Sequence, residues 1–416
     1  MIKSYRRRGA ATIVAAVALM SSATAPVANA LEPRSPAPAH RPAGTSNALD
    51  RALDAVHAAG MPGVMASTGN GEWTWNRASG VADLRSGRRM RPDYPHRVAS
   101  VTKTFTATAA LQLAAKGKID LDAPVGRYLP TVVPGDRGRR ITVRMLLNHT
   151  SGIAEYGYLA VPPGPDEDEV RRARLEALRF SRLQPEDSAR IGLAKPPTSR
   201  PGERQEYSDT NYILIGMIIK TVTGQDAERY IAEHVIRPAG LRHTFFLGDR
   251  AHIPRAHAKA YTGSDAQHIT GEYSVFRMRW DSTAGGLLST PSDLAIFFRA
   301  LLSGRLLPPS LLAEMKEIVP LSFEPPPGMT MRGYGLGLIK NEIPGCGRFW
   351  GHNGAFAGTH TDVLVSDDGR RHFTYVLTLS GYHQVDSNGN EVPTPISRSM
   401  KNLQDQAVRQ ALCPPR

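Results

Sequence analysis

Strand-like segments lie near both ends of this chain, and a long helical stretch separates them. Alternating apolar and polar residues with glycine-containing turns predict strands at 63–67, 72–78 and 81–83, and again between residues 333 and 379. From about residue 120 to 250 the apolar residues recur at helical spacing. We therefore expect an α+β fold: a sandwich of helices on one antiparallel sheet built from both chain ends, with an all-helical insertion.

Local signals mark the ends of several helices. Residues 48–59 and 212–221 carry apolar residues at helical spacing, and Thr142 is a favourable N-cap. Residues 394–412 are predicted to form the last helix, because Pro395 suits its first turn.

The first residues have the pattern of an export signal. Residues 1–30 combine a basic start, a short apolar run at 10–20 and a small-x-small cleavage site at 28–30. The run is too short to span a bilayer, so we expect a secreted protein without stable membrane insertion. Residues 31–46, rich in Pro, Ala and Ser, predict a flexible leader, and residues 47–416 then form the folded domain.

Charge and motif content exclude several classes of function. The formal net charge is +13, which favours loose attraction to anionic surfaces such as cell-wall polymers. The basic residues are dispersed, without interleaved aromatics or zinc-finger spacing, so we expect no nucleic-acid partner. Metal-protease, phosphate-loop and dinucleotide motifs are missing from the sequence, and we expect no metal and no cofactor.

Two cysteines, Cys346 and Cys413, give an even count in a chain with an export signal. That setting favours a disulfide that ties the C-terminal tail to the body over a metal site or a thiol nucleophile.

A serine lies one turn before a lysine at the start of an apolar helix. Ser100 and Lys103 are i and i+3, a spacing that places two side chains on one helix face. A lysine can activate a serine only if burial or nearby positive charge lowers its pKa from about 10.4 towards neutrality. The apolar flanks predict such burial. The alternative is an N-cap serine followed by a surface lysine.

Three aromatic or imidazole side chains are further candidates. Tyr207 precedes a helix, and a phenol beside a lysine can relay its proton; the alternative is a buried structural tyrosine. His352 lies among small residues that would let a substrate lie along a strand, or it is an ordinary turn histidine. Trp280 is either a pocket wall or a packed core residue.

In their order along the chain, these segments resemble the serine beta-lactamases and DD-peptidases, and within them the secreted DD-carboxypeptidase and class C branch. The first motif, Ser-x-x-Lys, falls on residues 100–103. The second, Tyr-x-Asn, corresponds to residues 207–209, and the third, Lys or His followed by x-Gly, to residues 352–354. The resemblance covers nearly all of the mature chain and also includes residues 146–152, 284–290 and 333–338 and the two cysteines.

The resemblance implies a mechanism. Ser100 attacks a carbonyl to form an acyl-enzyme, Lys103 and Tyr207 handle the proton, and the N–H groups of Ser100 and Ala355 form the oxyanion hole. Water then releases the acid. The substrate-binding residues that the resemblance implies are Asp209, Trp280, Lys340, His352, Asn353 and Gly354.

Two departures from the family pattern bear on the substrate. Asp209 replaces the usual Asn of the second motif, and its carboxylate would hold Lys103 protonated or organise the site. Asn353 stands where DD-peptidases commonly have Thr, and the expected basic residue is represented only by Lys340, displaced by one position. Recognition of a substrate carboxylate is therefore expected to be weak.

We predict a secreted, monomeric serine hydrolase that acts on small peptide or beta-lactam substrates, first of all as a D-alanyl-D-alanine carboxypeptidase on cell-wall peptides. The alternatives within the family are a beta-lactamase, an esterase or a D-amino-acid amidase. A non-catalytic penicillin- or wall-binding module is the alternative from another class, but it has no need of Ser100, Lys103 and Tyr207 together.

Overall fold

An antiparallel sheet of eight strands organises the chain. The computed structural model describes residues 43–157, 167–323, 330–382, 384–385 and 391–413. The strands are β1 Gly63–Asn70, β2 Thr74–Asp83, β3 Arg88–Arg89, β4 His96–Arg97, β5 Phe245–Phe246, β6 Tyr261–Gly263, β7 Ile269–Glu272, β8 Leu287–Ser289, β9 Met331–Tyr334, β10 Ile339–Ile343, β11 Gly347–Phe356, β12 Thr359–Ser366, β13 Arg371–Leu377, β14 Leu379–Ser380, β15 Gln384–Val385 and β16 Glu391–Val392.

The large sheet joins the two ends of the chain. Its strand order is β3-β2-β1-β13-β12-β11-β10-β9, and small sheets of two or three strands lie outside it. The joint is the β1–β13 pair, in which Val64 lies opposite Leu377 and Asn70 opposite Arg371. This pairing confirms the predicted sheet from both termini.

Helices cover both faces of the sheet. They are α1 Ala43–Ala58, α2 Thr102–Ala115, α3 Gly135–Arg140, α4 Val143–Leu147, α5 Glu167–Arg179, α6 Pro185–Ala194, α7 Asp209–Thr223, α8 Ala227–Ile231, α9 Ser282–Gly285, α10 Pro291–Leu302, α11 Pro309–Met315 and α12 Pro395–Ala407. Short 3-10 turns lie at Ala99–Val101, Val125–Arg127 and Arg279–Asp281, and π-helical turns at Ala232–Ile236 and Val408–Leu412.

Two apolar cores lie on opposite faces of the sheet. On one face, Leu53 of α1 and Leu403 of α12 belong to the same buried cluster as Phe373 of β13. On the other face, Val363 of β12 is buried in the cluster that contains α2, α7 and α10. Adjacent strand residues point to opposite faces, so a strand such as β12, with Val363 in one core and Leu364 packed against the other, contributes to both.

Helix α2 is buried on nearly all sides. Its small residues, such as Ala107 and Ala110, leave room for its neighbours, and the Phe105 ring stacks on Phe297 of α10 with centroids 3.6 Å apart. A helix that is apolar around most of its circumference belongs in the interior of a domain. The start of α2, which carries Lys103, is therefore enclosed by protein.

One predicted boundary needs correction. Helix α1 begins at Ala43, so the end of the predicted leader 31–46 is helical. The predicted export signal and residues 31–42 lie outside the described residues. Helices also continue beyond residue 250, in α9, α10 and α11. None of the helices described is long and apolar enough to cross a membrane.

The predicted disulfide is present. Cys346, in the turn between β10 and β11, is bonded to Cys413 at the end of the last π-helical turn. It fastens the C-terminal helix to the sheet.

Candidate active site

The Ser100 turn packs directly on strand β11. Ser100 lies in the 3-10 turn Ala99–Val101 that leads into α2, and Ala99 has a positive φ of 47°. An added Cβ on Gly354 would lie 2.1 Å from the Val98 carbonyl oxygen and 2.9 Å from the Ser100 nitrogen. Only glycine therefore allows this strand to approach the turn so closely. A non-glycine residue with positive φ beside the nucleophile also marks a strained functional backbone.

Lys103 is fully buried beside Ser100. Its Nζ donates to Ser100 Oγ at 3.1 Å and to the Ala284 carbonyl oxygen at 2.9 Å, and it forms an ion pair with Asp209. An ammonium has three N–H donors, and here each of the three has an acceptor. The geometry is that of a charged lysine.

The surrounding charges keep Lys103 protonated. Burial by itself lowers the pKa of Lys103, but the negative charge of Asp209, with contributions from Tyr207 and Asp281, outweighs it and raises the net pKa. The expectation that burial brings the lysine towards neutrality is therefore wrong for the resting site. Asp209, the residue that departs from the second motif, is the cause.

Tyr207 is the third member of the candidate catalytic group. Its ring centroid lies 4.9 Å from Lys103 Nζ, and Lys103 and Ser100 both act on its hydroxyl to lower its pKa. The residue is 42% exposed, so it borders solvent. Burial raises the pKa of Tyr207 despite the opposing effect of Lys103. Like the lysine, the phenol holds its proton in the resting site.

His149 supports Tyr207 from behind. Its ring packs on the Tyr207 ring with centroids 4.2 Å apart, and its Nδ1 accepts from the Ser208 backbone N–H and the Asn211 side-chain amide, both at 3.2 Å. Burial holds the pKa of His149 well below its usual range, so the ring is neutral with its proton on Nε2. His149 also has a positive φ of 62°. Sequence reasoning noted its segment only as family-like and assigned it no role.

A cavity of about 200 Å³ opens beside Ser100. Three of its lining residues bear carboxyl groups and three are aromatic, and no basic side chain is among the described residues that line it. The lining residues are Ala99, Ser100, Glu155, Tyr156, Gly157, Asp209, Trp280, Asp281, Ala355 and Phe356.

The carboxyl groups are held by hydrogen bonds. Glu155 accepts from the backbone N–H groups of Asp209 and Gly157, while burial, reinforced by the charge of Asp209, raises its pKa to about 7. The Tyr156 hydroxyl donates to Asp281, whose pKa burial raises well above its usual range. Sequence reasoning missed Glu155 and Asp281, since neither belongs to a motif.

The third motif is placed differently from the sequence expectation. His352 is buried, with Nε2 at 2.9 Å from the Tyr334 hydroxyl and Nδ1 at 2.6 Å from the Asn353 carbonyl oxygen. Burial lowers its pKa to about 3, so the ring is neutral and supplies no positive charge for a substrate carboxylate. Asn353 lies opposite Asp362 in the β11–β12 pair, on the other face of the sheet from His352.

Lys340 does not line the Ser100 cavity. It lies opposite Trp350 in the β10–β11 pair and forms an ion pair with Glu342 at 2.9 Å. Trp280 does line the cavity while being only 2% exposed, and it meets the Tyr156 ring edge to face. Both interpretations of Trp280 therefore hold at once.

The edge of β11 beside Ser100 has no strand partner on the β10 side. The β10–β11 pairing ends at Gly351, and residues 352–356 lie between β12 and the Ser100 turn. Ala355 lines the cavity there. The proposed oxyanion hole of the Ser100 and Ala355 N–H groups remains a prediction from the resemblance. Within the part of the chain that the structure describes, no three His, Cys, Asp or Glu side chains come together as a metal ion requires.

Comparison with known proteins places the chain in a family. A family model described as Beta-lactamase matches residues 49–391. The chain belongs to the beta-lactamase family. In this beta-lactamase-family protein, Ser100 and Lys103 are hydrogen-bonded and Tyr207 lies against Lys103, the three residues that the sequence predicts to carry hydrolysis.

Relatives within the beta-lactamase family differ in their named activities. The chain is 29% identical over 249 residues to a protein of Bacillus subtilis named putative penicillin-binding protein PbpX. Those residues make up 59% of this chain and 56% of the relative. It is 33% identical over 202 residues to the esterase EstB of Burkholderia gladioli, 48% of this chain and 50% of the relative. The chain thus spans about half the length of these curated relatives.

A solved structure of similar size also matches. The crystal structure of a D-stereospecific amidohydrolase from Streptomyces sp. is 36% identical with a TM-score of 0.69, and the match covers 80% of this chain and 94% of that one.

Proposed function

We propose that the protein hydrolyses D-configured aminoacyl amides or esters that carry a free α-ammonium group and an apolar side chain. The observation that carries this proposal is the cavity beside Ser100, where Glu155, Asp209 and Asp281 supply carboxyl groups and the other walls are largely aromatic. Glu155 and Asp209 can stabilise a cation within a few ångströms, whereas Asp281, whose pKa burial raises well above its usual range, offers a neutral hydrogen-bonding group; the aromatic walls favour an apolar side chain. The match to a D-stereospecific amidohydrolase supports the D configuration.

A carboxypeptidase needs the opposite electrostatics. The D-alanyl-D-alanine carboxypeptidase expected first from the sequence must hold a terminal carboxylate, for which a cation is the natural partner. His352 is neutral, Lys340 is paired with Glu342 away from the cavity, and Lys103 is neutralised by Asp209. These features favour the amidase over the carboxypeptidase.

The substrate cation would itself help to form the base. An ammonium near Glu155 and Asp209 offsets the charge of Asp209, which lowers the pKa of both Lys103 and Tyr207. The deprotonated Tyr207–Lys103 pair then takes the Ser100 proton as Oγ bonds to the carbonyl carbon. The same pair returns that proton to the leaving amine or alcohol as its bond to carbon breaks, and water hydrolyses the resulting ester.

We also propose that residues 1–30 direct export and that the domain folds outside the cytoplasm. The Cys346–Cys413 disulfide supports this proposal, because such bonds persist in oxidising compartments.

Paired substrates test the proposed function. Purified mature protein is given D-phenylalaninamide, L-phenylalaninamide, N-acetyl-D-phenylalaninamide and an N-acylated D-Ala-D-Ala peptide, with Ser100→Ala as the control. We expect kcat/KM for the free D-amide to exceed that for its N-acetyl form by about tenfold or more, as for loss of one buried charge partner, and no turnover by Ser100→Ala. Release of D-Ala without cleavage of the free D-amide would instead establish the carboxypeptidase.

A further inference from the structure

A second cavity lies on the face of the sheet opposite Ser100. Eight strands span roughly 35 Å, whereas two helices side by side cover about 20 Å, so α1 and α12 leave part of this face uncovered. A cavity of about 410 Å³ lies between α12 and the strands β10 to β13. Asp362 and Asn353 face it from adjacent strands, while their neighbour Val363 is buried in the core beneath α2.

The lining combines apolar walls with two carboxyl groups, of which Asp405 is at the rim beside Lys401 and Asp362 lies among the apolar residues. Ile339, Ile343 and Leu364 belong to the lining, and Asp362 lies among them. The Tyr375 hydroxyl donates to Asp362 over a long 3.3 Å and accepts from the Gln404 amide at 3.1 Å.

Few neighbouring groups stabilise the charged form of the Asp362 carboxyl group. Burial raises the pKa of Asp362 to about 6, which means that its surroundings disfavour the charged form. The basic side chain of the lining, Lys401, is exposed and lies 3.6 Å from Asp405. A partly buried carboxylate with one long hydrogen bond from a side chain gains most from a cation that brings its own donors.

We propose that this cavity is a second ligand site, which takes a primary ammonium group attached to an apolar chain or ring. The ammonium group bonds Asp362, and the apolar part lies along Ile339, Ile343 and Leu364. A volume of this size falls within the range of small-molecule sites, whose usual pattern is apolar walls with a few polar groups.

Strand β11 lines the second site on one face of the sheet and packs against the Ser100 turn on the other. Asn353 lines the cavity, and the next residue, Gly354, packs against the Val98 carbonyl and the Ser100 nitrogen on the other face. A ligand at Asp362 therefore contacts the strand that shapes the nucleophile. The proposal does not depend on the activity proposed for Ser100.

Calorimetric titration with a matched pair of probes tests the site. The probes are 4-phenylbutylamine and its neutral analogue 4-phenylbutan-1-ol, titrated at pH 8 so that Asp362 is ionised. Wild type is compared with Asp362→Asn, and with Glu155→Gln as the matched control for the carboxyl group of the Ser100 cavity. Because the Ser100 cavity is also proposed to take an ammonium group, two binding events are expected in wild type. The event at Asp362 should keep its affinity in Glu155→Gln and weaken by about tenfold or more in Asp362→Asn. At this site the alcohol should bind wild type as weakly as the amine binds Asp362→Asn.

Two results would overturn the proposal: the same amine binding events and affinities in Asp362→Asn as in wild type, or no amine binding to wild type at millimolar concentration. A single binding event that is lost only in Glu155→Gln would assign the amine to the Ser100 cavity instead. Because Asp362→Asn could alter folding, Leu364→Trp serves as a second variant that fills the cavity from a partly buried position. It should abolish the binding event at Asp362 while the far-ultraviolet circular dichroism stays unchanged.

Discussion

At the scale of single residues, Asp209 sets this site apart from the motif it resembles. It pairs with the fully buried Lys103, and its charge raises the pKa of Lys103 and of Tyr207. Asp209 thereby holds Lys103 protonated at rest, while burial is the main cause of the raised pKa of Tyr207. The same carboxylate lines the cavity, where it is available to a substrate cation. One substitution thus links base activation to the charge of the substrate.

Asp209→Asn should separate these two effects. Removal of the negative charge lowers the pKa of Lys103 and Tyr207, so the base deprotonates at lower pH and the acid limb of kcat/KM shifts down by about one unit or more. At pH 7 we expect kcat/KM for N-acetylated substrates to rise. The advantage of free-amine substrates over them should disappear. The measurement is kcat/KM against pH for the paired amides. A profile identical to that of wild type would refute the role given to Asp209.

His149 should act through Tyr207 and not on the substrate. In His149→Phe the ring contact is kept, but the Ser208 N–H and the Asn211 amide lose their acceptor, which costs about 1–3 kcal/mol. We expect kcat to fall by at least about tenfold with little change in KM, as for a misplaced proton-transfer group. His149→Gln, which keeps an acceptor, should recover part of kcat. A rise in KM alone would contradict the positioning role.

The grouping of Ser100, Lys103 and Tyr207 could be predicted from sequence, but the charges around them could not. Ser100 and Lys103 follow from local helical spacing, and Tyr207 from a motif. Glu155 and Asp281 reach the cavity only through packing between distant segments, which no local pattern encodes. The raised pKa of Lys103 comes mainly from Asp209, for which holding Lys103 protonated was one of the two roles expected from the sequence, whereas the expectation from burial alone had the opposite sign.

At the scale of elements, strand registers decide which side chains reach the site. Lys340 follows Ile339 by one position, and adjacent strand residues point to opposite faces, so a one-residue displacement changes where the basic group lies. Gly80 is a second example. The sequence placed a break between strands 72–78 and 81–83, but Gly80, with φ of 85°, lies inside a continuous β2 just before a register shift against β3. A glycine that suggests a turn can equally allow a bulge.

The contact between β11 and the Ser100 turn predicts the effect of Gly354→Ala. The new Cβ would overlap the Val98 carbonyl and press on the Ser100 nitrogen, so the nucleophile must move. We expect activity to fall by about 100-fold, the scale seen when a catalytic group is displaced by about 1 Å. Gly347→Ala is the matched control on the same strand, because its Cβ meets no atom within 4 Å although its φ of 104° imposes strain. Steady-state kinetics of both variants, with thermal melts, check this; similar losses in the two would contradict it.

At the scale of the whole molecule, the Cys346–Cys413 disulfide closes the sheet against the last helix. The two cysteines are 67 residues apart, and closing a loop of that length contributes about 4 kcal/mol by chain entropy. Arg371 also holds the two segments, since its Nη1 donates to the carbonyl oxygens of Cys346 at 3.1 Å and Leu412 at 2.6 Å. We therefore expect the Cys346→Ser, Cys413→Ser double variant to lose about 2–4 kcal/mol of unfolding free energy rather than to unfold.

The same variant should remain active below its melting temperature, because neither cysteine lies among the residues that line the Ser100 cavity. Urea denaturation of the oxidised protein, the reduced protein and the double variant measures the free energy, and kcat/KM at 25 °C measures the activity. Reduced wild type and the double variant should agree in both quantities. A loss of activity at urea concentrations well below the unfolding transition would mean that the C-terminal helix helps to hold β11 against Ser100. The disulfide would then belong to the catalytic architecture as well as to stability.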